Sequence, residues 1–315
     1  MKNAEYDVAI VGGSVAGLAA ATALGRSLRR VVVLDAGQPR NAPSPAAHNV
    51  FANDGASPAE LLDRARRDAE KYGVELRSTE VRSLENCTDA PGEFFGVHLD
   101  SGERLTARRV LLATGLVDGL PAIDGLAEHW GTAVLHCPYC HGWEVRGQRI
   151  GVIGSSAMAT HQALLFSQLS RHVALISHDA EVTTEQRGQL AAAGVEVVDA
   201  RIERAVSTDG RLTGVILDSG VDLSLDALAV QSRMIARSEL YTGLGGEVSE
   251  NPMGEFIETD LRGATAIAGV WAAGNSADVG ASVSHAAAAG VTAGAQLNMD
   301  LINADVAARL DAAPA

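Results

Sequence analysis

The chain has 315 residues, 47% of them hydrophobic and 20% charged, which excludes a wholly disordered or fibrous protein. Lys and Arg number 25 against 39 Asp and Glu, a formal net charge of −14. So acidic a chain is a poor partner for nucleic acid or an anionic membrane, which both require clustered positive charge. At about 150 residues per domain the length suggests two domains. The three cysteines, two of them spaced as CxxC, argue against a secreted disulfide framework. The N-terminus has the pattern of no signal peptide, and no run of about 18 apolar residues is present. The expectation is a cytoplasmic protein without membrane partners.

In chain order, Asp7–Val11 (DVAIV) is a short β-branched run of the kind that forms a buried parallel strand. Gly12–Gly17 (GGSVAG) follows as a turn, and 18–28 is Ala- and Leu-rich at helical spacing. A second strand, 31–34, ends in Asp35. Residues 37–57 read as loop. A helix is predicted over 58–72, with Ser57 as N-cap and Pro58 at its first position. Strands are predicted within 74–100 and at 109–113, the latter running into Thr114-Gly115. A second unit of the same kind starts at 149–153, turns through 154–159 and continues as a helix over 160–170. Its further strands are predicted at 172–177, 194–200 and 212–217. The strand 269–273 then leads through Gly274-Asn275 into a long helix from about Ser282. The two β-α-β units are an internal duplication at domain scale.

The first turn is a G-x-G-x-x-G fingerprint with Ser14 in place of its middle glycine. Gly12 suits the tight turn, Gly17 suits close helix–strand packing, and Asp35 stands where a carboxylate accepts a ribose hydroxyl. Strand, turn, helix and acid together point to a bound dinucleotide. The second turn, Gly154–Ala159, has Ser156 at the middle position, and Ser177, His178 and Asp179 at the end of its next strand. With no Arg pair there to hold a 2′-phosphate, it reads as a nucleotide fold without a working nicotinamide site.

Cys137 and Cys140 are bracketed by His136 and His141. Cysteines at this spacing can close a reactive disulfide, and a neighbouring imidazolium favours thiolate. Zinc would take two separated ligand pairs, and there is no second pair, so no metal is expected. CPYCH also matches a c-type haem attachment pattern, which would need export. A glutaredoxin-like CPYC would follow the first strand of a small domain, which this one does not. Cys87 is read as an ordinary thiol and the Arg64-Arg66-Arg67 face as solvated, while two readings stay open for the others: His48 and Asn49 approach a bound cofactor or lie in a solvated loop, and Tyr139 and Trp143 line a pocket or simply pack.

Together, the N-terminal fingerprint, Ala113-Thr114-Gly115, the CxxC between two nucleotide-type units and the closing AAGN at 272–275 resemble the low-molecular-weight thioredoxin reductases. The resemblance covers nearly the whole chain. It implies an α/β fold of two Rossmann-like domains, the second inserted into the first. The FAD-binding domain would be 1–115 and 246–315, and a degenerate NAD(P)-type domain carrying the CxxC would be 116–245. It implies a homodimer with FAD held by Gly12, Gly13, Ser14, Ala16, Gly17, Asp35, Ala113, Thr114, Gly115, Gly274 and Asn275, and by the helix start at Ser282.

The sequence HCPYCHGWEV is more similar to the FAD-dependent dithiol oxidases that close the disulfides of natural products such as gliotoxin and holomycin. The implied substrates are a small-molecule dithiol and O2. Cys137 would exchange with substrate and Cys140 would face the flavin. His136 would be the base, paired with the carboxylate of Asp278, with His141 as its competitor. Two other readings stay open: a disulfide reductase fed by NAD(P)H or ferredoxin, and a flavoprotein redox sensor without turnover.

Overall fold

The structure is a computed structural model that describes residues 4–87 and 94–312. It divides into two compact units. The first comprises 1–42, 57–117 and 234–315, and the second 43–56 and 118–233. The expected boundaries therefore shift. Residues 234–245 fold with the first unit, and the loop segment 43–56, expected in the FAD-binding part, folds with the second.

The first unit is built on a seven-stranded sheet. Its order is Glu75–Ser78, Val31–Asp35, Tyr6–Val11, Arg104–Leu112, Phe95–Leu99, Val81–Asn86, and Val270–Ala272 also pairs with Arg104–Leu112. The central strands are parallel, with Ile10 opposite Val33 on one side and Leu111 on the other. All six residues of Tyr6–Val11 are buried, as its unbroken apolar run requires. The first helix, Val15–Arg26, begins three residues earlier than its apolar spacing suggests, with Gly17, the last glycine of the fingerprint, already in its first turn. Ser57 caps the helix Pro58–Glu70 in a reciprocal box: its hydroxyl accepts from the Glu60 amide and the Glu60 carboxylate accepts from the Ser57 amide.

The last helix, Val283–Asp311, lies along the first, and small residues let the two backbones touch. A Cβ on Gly290 would collide with the carbonyl oxygen of Ala16. The far end of this helix is tied to the sheet by charge. The Arg29 side chain donates to Asn298 (2.7 Å) and Asp305 (3.1 Å), and Arg108 donates to Asp305 (2.6 Å).

The second unit has a five-stranded parallel sheet in the order Glu196–Val198, His172–Ile176, Arg149–Ile153, Ala227–Val230, Val134–Leu135. An antiparallel sheet of Ile202–Thr208, Arg211–Leu217 and Asp222–Ser224 accompanies it. Sequence reading finds only part of this second sheet, because its first strand is mostly exposed and lacks a strong apolar pattern. Among the described residues no helix is long and apolar enough to cross a membrane.

The contact at Gly290 yields a test. Gly290→Val places a branched side chain against backbone that cannot retreat. It is expected to cost about 3 kcal/mol, the upper end for overpacking. Urea unfolding measures it, and a stability within about 0.5 kcal/mol of wild type, the usual range for surface changes, would refute the tight contact.

Candidate active site

In the first unit the dinucleotide turn is shaped by backbone approach. Gly12 has φ +106°, and a Cβ there would collide with the Ala113 carbonyl oxygen. A Cβ on Gly17 would collide with the carbonyl of Gly12. Ser14 stands at the N-cap of the helix Val15–Arg26, but its side chain makes no capping hydrogen bond, and the first turn carries no acidic residue. The helix thus presents amide donors of its first turn without a side-chain cap, as an anionic pyrophosphate needs. Ala16 packs below the turn, where a Cβ on Gly274 would meet its own Cβ at 2.8 Å. A Cβ on Gly13 would lie 2.7 Å from that of Asp35, so the glycine keeps space open beside the carboxylate.

Arg66 is 3.6 Å from Asp35. Sequence reading gave Arg66 a solvated face; tertiary packing brings it to the acid. Thr114 donates to the Arg237 carbonyl (2.7 Å) and Gly115 accepts from the Arg237 amide (2.9 Å), so the Ala113–Gly115 turn is fixed by a residue distant in sequence. The side-chain amide of Asn275 donates to the carbonyls of Asp278, Val279 and Ala281 at 3.0–3.2 Å. Those donors close the 278–281 loop. Ser282 caps the last helix by accepting from the His285 amide. This constellation fits an FAD: an uncapped helix start, a glycine cradle, and an acid at the strand end.

In the second unit Cys137 and Cys140 form a disulfide. Cys137 is the N-cap of the short helix Pro138–His141, with Pro138 at its first position. The amides of Cys140 and His141 both donate to the Cys137 carbonyl at 3.2 Å, which fixes the turn that holds the two sulfurs together. Tyr139 and Trp143 beside it are exposed, and the Arg146 guanidinium lies 4.0 Å from the Trp143 ring centre.

Both flanking imidazoles are held. His136 Nδ1 lies 3.3 Å from the Ser232 hydroxyl and 3.4 Å from the Ser232 amide, and that hydroxyl donates to Asp118 at 2.7 Å. His141 Nε2 lies 2.7 Å from Ser44 Oγ. Burial pushes the His141 imidazole below its ordinary range, Glu144 opposing this and His48 adding to it. His48 is no solvated loop residue: its two ring nitrogens are each 3.3 Å from a carboxylate, Asp54 and Glu144. Ser232, Asp118 and Ser44 escape sequence reading because each is a common residue far from the CxxC along the chain. Asp278, expected to pair with His136, belongs to the first unit, where its carboxylate accepts from the Gly280 amide at 2.9 Å.

The second nucleotide turn is filled by the protein's own groups. A Cβ on Gly154 would collide with the Ser177 carbonyl, and the amides of Asp179 and Ala180 donate to the Gly154 carbonyl. An arginine is present that the sequence pattern did not reveal: Arg201 forms an ion pair with Asp179. His178 Nδ1 accepts from the Ile202 amide at 3.0 Å, and burial lowers the pKa of its ring, which Asp179 opposes. Cys87 is exposed, with an Arg104 nitrogen 2.9 Å from its sulfur. Among the described residues no group of three or more His, Cys, Asp or Glu is arranged to hold a metal.

These two units and the disulfide turn define a flavin- and disulfide-type oxidoreductase. The family model of the pyridine nucleotide-disulphide oxidoreductases matches residues 6–290. The chain belongs to that family, which binds FAD, and is thioredoxin reductase-like. Thioredoxin reductase tcpT of Claviceps purpurea is 31% identical over 94% of both chains. The solved structure of HlmI is 41% identical, covers 98% of this chain and 96% of its own, and superposes with a TM-score of 0.92. An oxidoreductase from Agrobacterium tumefaciens is 36% identical over 94% of this chain and 98% of its own, with a TM-score of 0.88.

The two depressed imidazoles set an acid limb of stability. In the unfolded chain His141 and His178 return to about 6.5, so just below that pH the unfolded state binds more protons than the native one. Stability present above about pH 6.5 is lost as pH falls toward the native values. The thermal midpoint is expected to drop between about pH 7.5 and 5.5. His178→Asn, which keeps an acceptor for the Ile202 amide, is expected to flatten that drop. A slope unchanged in this variant would refute the buried neutral ring.

Proposed function

We propose that this chain is an FAD-dependent dithiol oxidase that closes a disulfide in a small-molecule dithiol, with O2 as acceptor and H2O2 as product. The observation that carries this reading is the redox disulfide bracketed by two imidazoles, each anchored by a hydroxyl of the same unit. Thiolate is the nucleophile in disulfide exchange, so an incoming dithiol must lose protons near the sulfurs. An imidazole is the natural acceptor near neutral pH. A second support is the nicotinamide-type turn, whose Gly154 carbonyl is already taken by the amides of Asp179 and Ala180 and which carries no pair of arginines at its strand end.

His136 takes the proton of one substrate thiol, and Asp118, through Ser232, stabilises the resulting cation. Asp278 is the further carboxylate that the resemblance nominates for this base. The substrate thiolate attacks Cys137 Sγ, the Cys137–Cys140 bond breaks, and Cys140 leaves as thiolate. The second substrate sulfur loses its proton and attacks the sulfur bonded to Cys137. The product disulfide forms and Cys137 departs with the electron pair. Two electrons and two protons have left the substrate, and the enzyme's disulfide has been reduced to the dithiol level. FAD, held by Gly12, Gly13, Ser14, Ala16, Gly17, Asp35, the 113–115 turn, Gly274 and the helix start at Ser282, supplies the two-electron acceptor and, once reduced, the reactivity with O2. The pairs named thioredoxin reductase favour a second reading, a reductase fed by NAD(P)H. A homodimer is part of the proposal. The exposed stripe Val291, Met299, Ile302 and Val306 on the last helix offers an apolar face for a second copy.

The test is anaerobic. Purified flavoprotein is mixed separately with dithiothreitol, NADPH and NADH, and flavin absorbance is followed. Bleaching by the dithiol alone, reversed by air with peroxide formed over many turnovers, is the expected result. Fast bleaching by NADPH would establish the reductase instead, and the absence of repeated turnover would leave the sensor. Cys140→Ser leaves Cys137 as a lone thiol; offered an acyclic disulfide such as oxidised glutathione, it is expected to open that disulfide and keep one half as a mass adduct lost on reduction, while Cys137→Ser is expected to keep none. An adduct-free Cys140→Ser variant would overturn the assigned roles of the two sulfurs.

A further inference from the structure

Residues 43–56 are far from the CxxC in sequence, yet within the second unit they are hydrogen-bonded to it. The Asn49 side-chain amide donates to the Tyr139 carbonyl at 2.7 Å, and His48 Nε2 lies 3.3 Å from Glu144. Ser44, only 7% exposed, places its hydroxyl 2.7 Å from His141 Nε2.

That hydroxyl has one proton to give. Its oxygen is also 2.7 Å from the carbonyl oxygen of Ala46, which can only accept. The proton therefore points at Ala46. The contact with His141 is then a hydrogen bond only if the ring nitrogen donates, so Nε2 carries the hydrogen. A neutral imidazole protonated at Nε2 has its lone pair on Nδ1. No hydrogen bond to Nδ1 is present among the described residues. The charged groups facing the ring are Glu144 and His48, the latter itself beside Asp54. Oxidation of a dithiol releases two protons, one per sulfur, and His136 is a single acceptor.

We propose that Ser44 is a positioning residue. It locks neutral His141 as the Nε2–H tautomer and so makes Nδ1 the atom that takes the second thiol proton. The proton-accepting half rests on the dithiol oxidase reading; the tautomer lock does not. In the balanced sequence the second substrate thiol gives its proton to His141 Nδ1. Its sulfur bonds to the substrate sulfur held on Cys137, and the Cys137–substrate bond breaks with its electron pair on Cys137.

The experiment uses full-length, FAD-loaded protein labelled with ¹⁵N-histidine, the His141 signals being assigned by their loss in His141→Gln. Near neutral to mildly basic pH the wild type is expected to show a protonated Nε2 and an unprotonated Nδ1. Ser44→Ala is expected to mix the two tautomers, and Ser44→Thr, which keeps the hydroxyl, to restore the single form. In parallel, the pH dependence of anaerobic flavin reduction by dithiothreitol is measured for all three. Ser44→Ala is expected to shift the profile and slow reduction about tenfold, less than the 10²–10⁴ typical of a whole acid–base group. Ser44→Thr is expected to recover both. Retained FAD absorbance shows that the variants fold.

An Nδ1–H tautomer in the wild type, or a tautomer unmoved in Ser44→Ala, overturns the lock whatever the activity. A lock that behaves as expected with an unchanged pH profile overturns the proton role. If the wild-type flavin is not reduced by a dithiol while the tautomer behaves as expected, the dithiol reading fails and takes the proton role with it, and the lock stands.

Discussion

The approach of backbone to backbone around the first strand–turn–helix governs the first unit. Gly12 lies against the Ala113 carbonyl, Gly17 against Gly12, and Gly290 of the last helix against Ala16. Each contact leaves no room for a Cβ, so three segments distant in sequence meet at one turn. This packing strips the helix start of side-chain clutter and leaves the uncapped amides of Ser14 and its neighbours for a phosphate. The same compression sets the register of the parallel strands, because the turn joins Tyr6–Val11 to a helix that must also lie along Val283–Asp311. Cofactor site and fold of this unit are thus one arrangement.

The second unit uses a different economy. Its Rossmann-type sheet carries a disulfide turn at one end and a nucleotide-type turn whose key positions are taken by Arg201, Asp179 and His178. At the disulfide turn, His136 and His141 flank the two cysteines along the chain and have different supports. Ser232 joins His136 to the carboxylate of Asp118, while Ser44 joins His141 to an uncharged carbonyl. Burial favours the neutral form of the His141 ring, with the Glu144 carboxylate opposing it. Unequal environments for paired titratable groups are how one site can divide proton-transfer roles.

Much of the site was legible as pattern. The G-x-S-x-x-G turn, Asp35 at the strand end, Ala113–Gly115 and the bracketed CxxC are local motifs whose residues lie within one turn of one another. The structure sets the first as strand, turn and helix, puts Asp35 at the end of Val31–Asp35 and 113–115 between two strands, and starts a short helix within the CxxC. What was not legible was every partner supplied from a distance. Arg66 reaches Asp35, Arg237 fixes the 113–115 turn, and Ser232, Asp118 and Ser44 hold the histidines. Serines, arginines and aspartates are too common for their type alone to mark a role. The amide of Asn275 likewise donates into the 278–281 loop, a partnership its motif position does not display.

Local chemistry determined the elements. An unbroken apolar run makes a buried strand, glycine spacing makes the nucleotide turn, and cysteines at i and i+3 make a disulfide. These depend on neighbours along the chain, which the sequence displays directly. Tertiary structure alone decided which unit the 43–56 segment joins, which hydroxyl meets which imidazole nitrogen, and which charge answers Asp179. A hydrogen bond is fixed by distances of a few tenths of an ångström between groups as many as 276 residues apart. No pattern along the chain encodes that geometry until the backbone has closed upon itself.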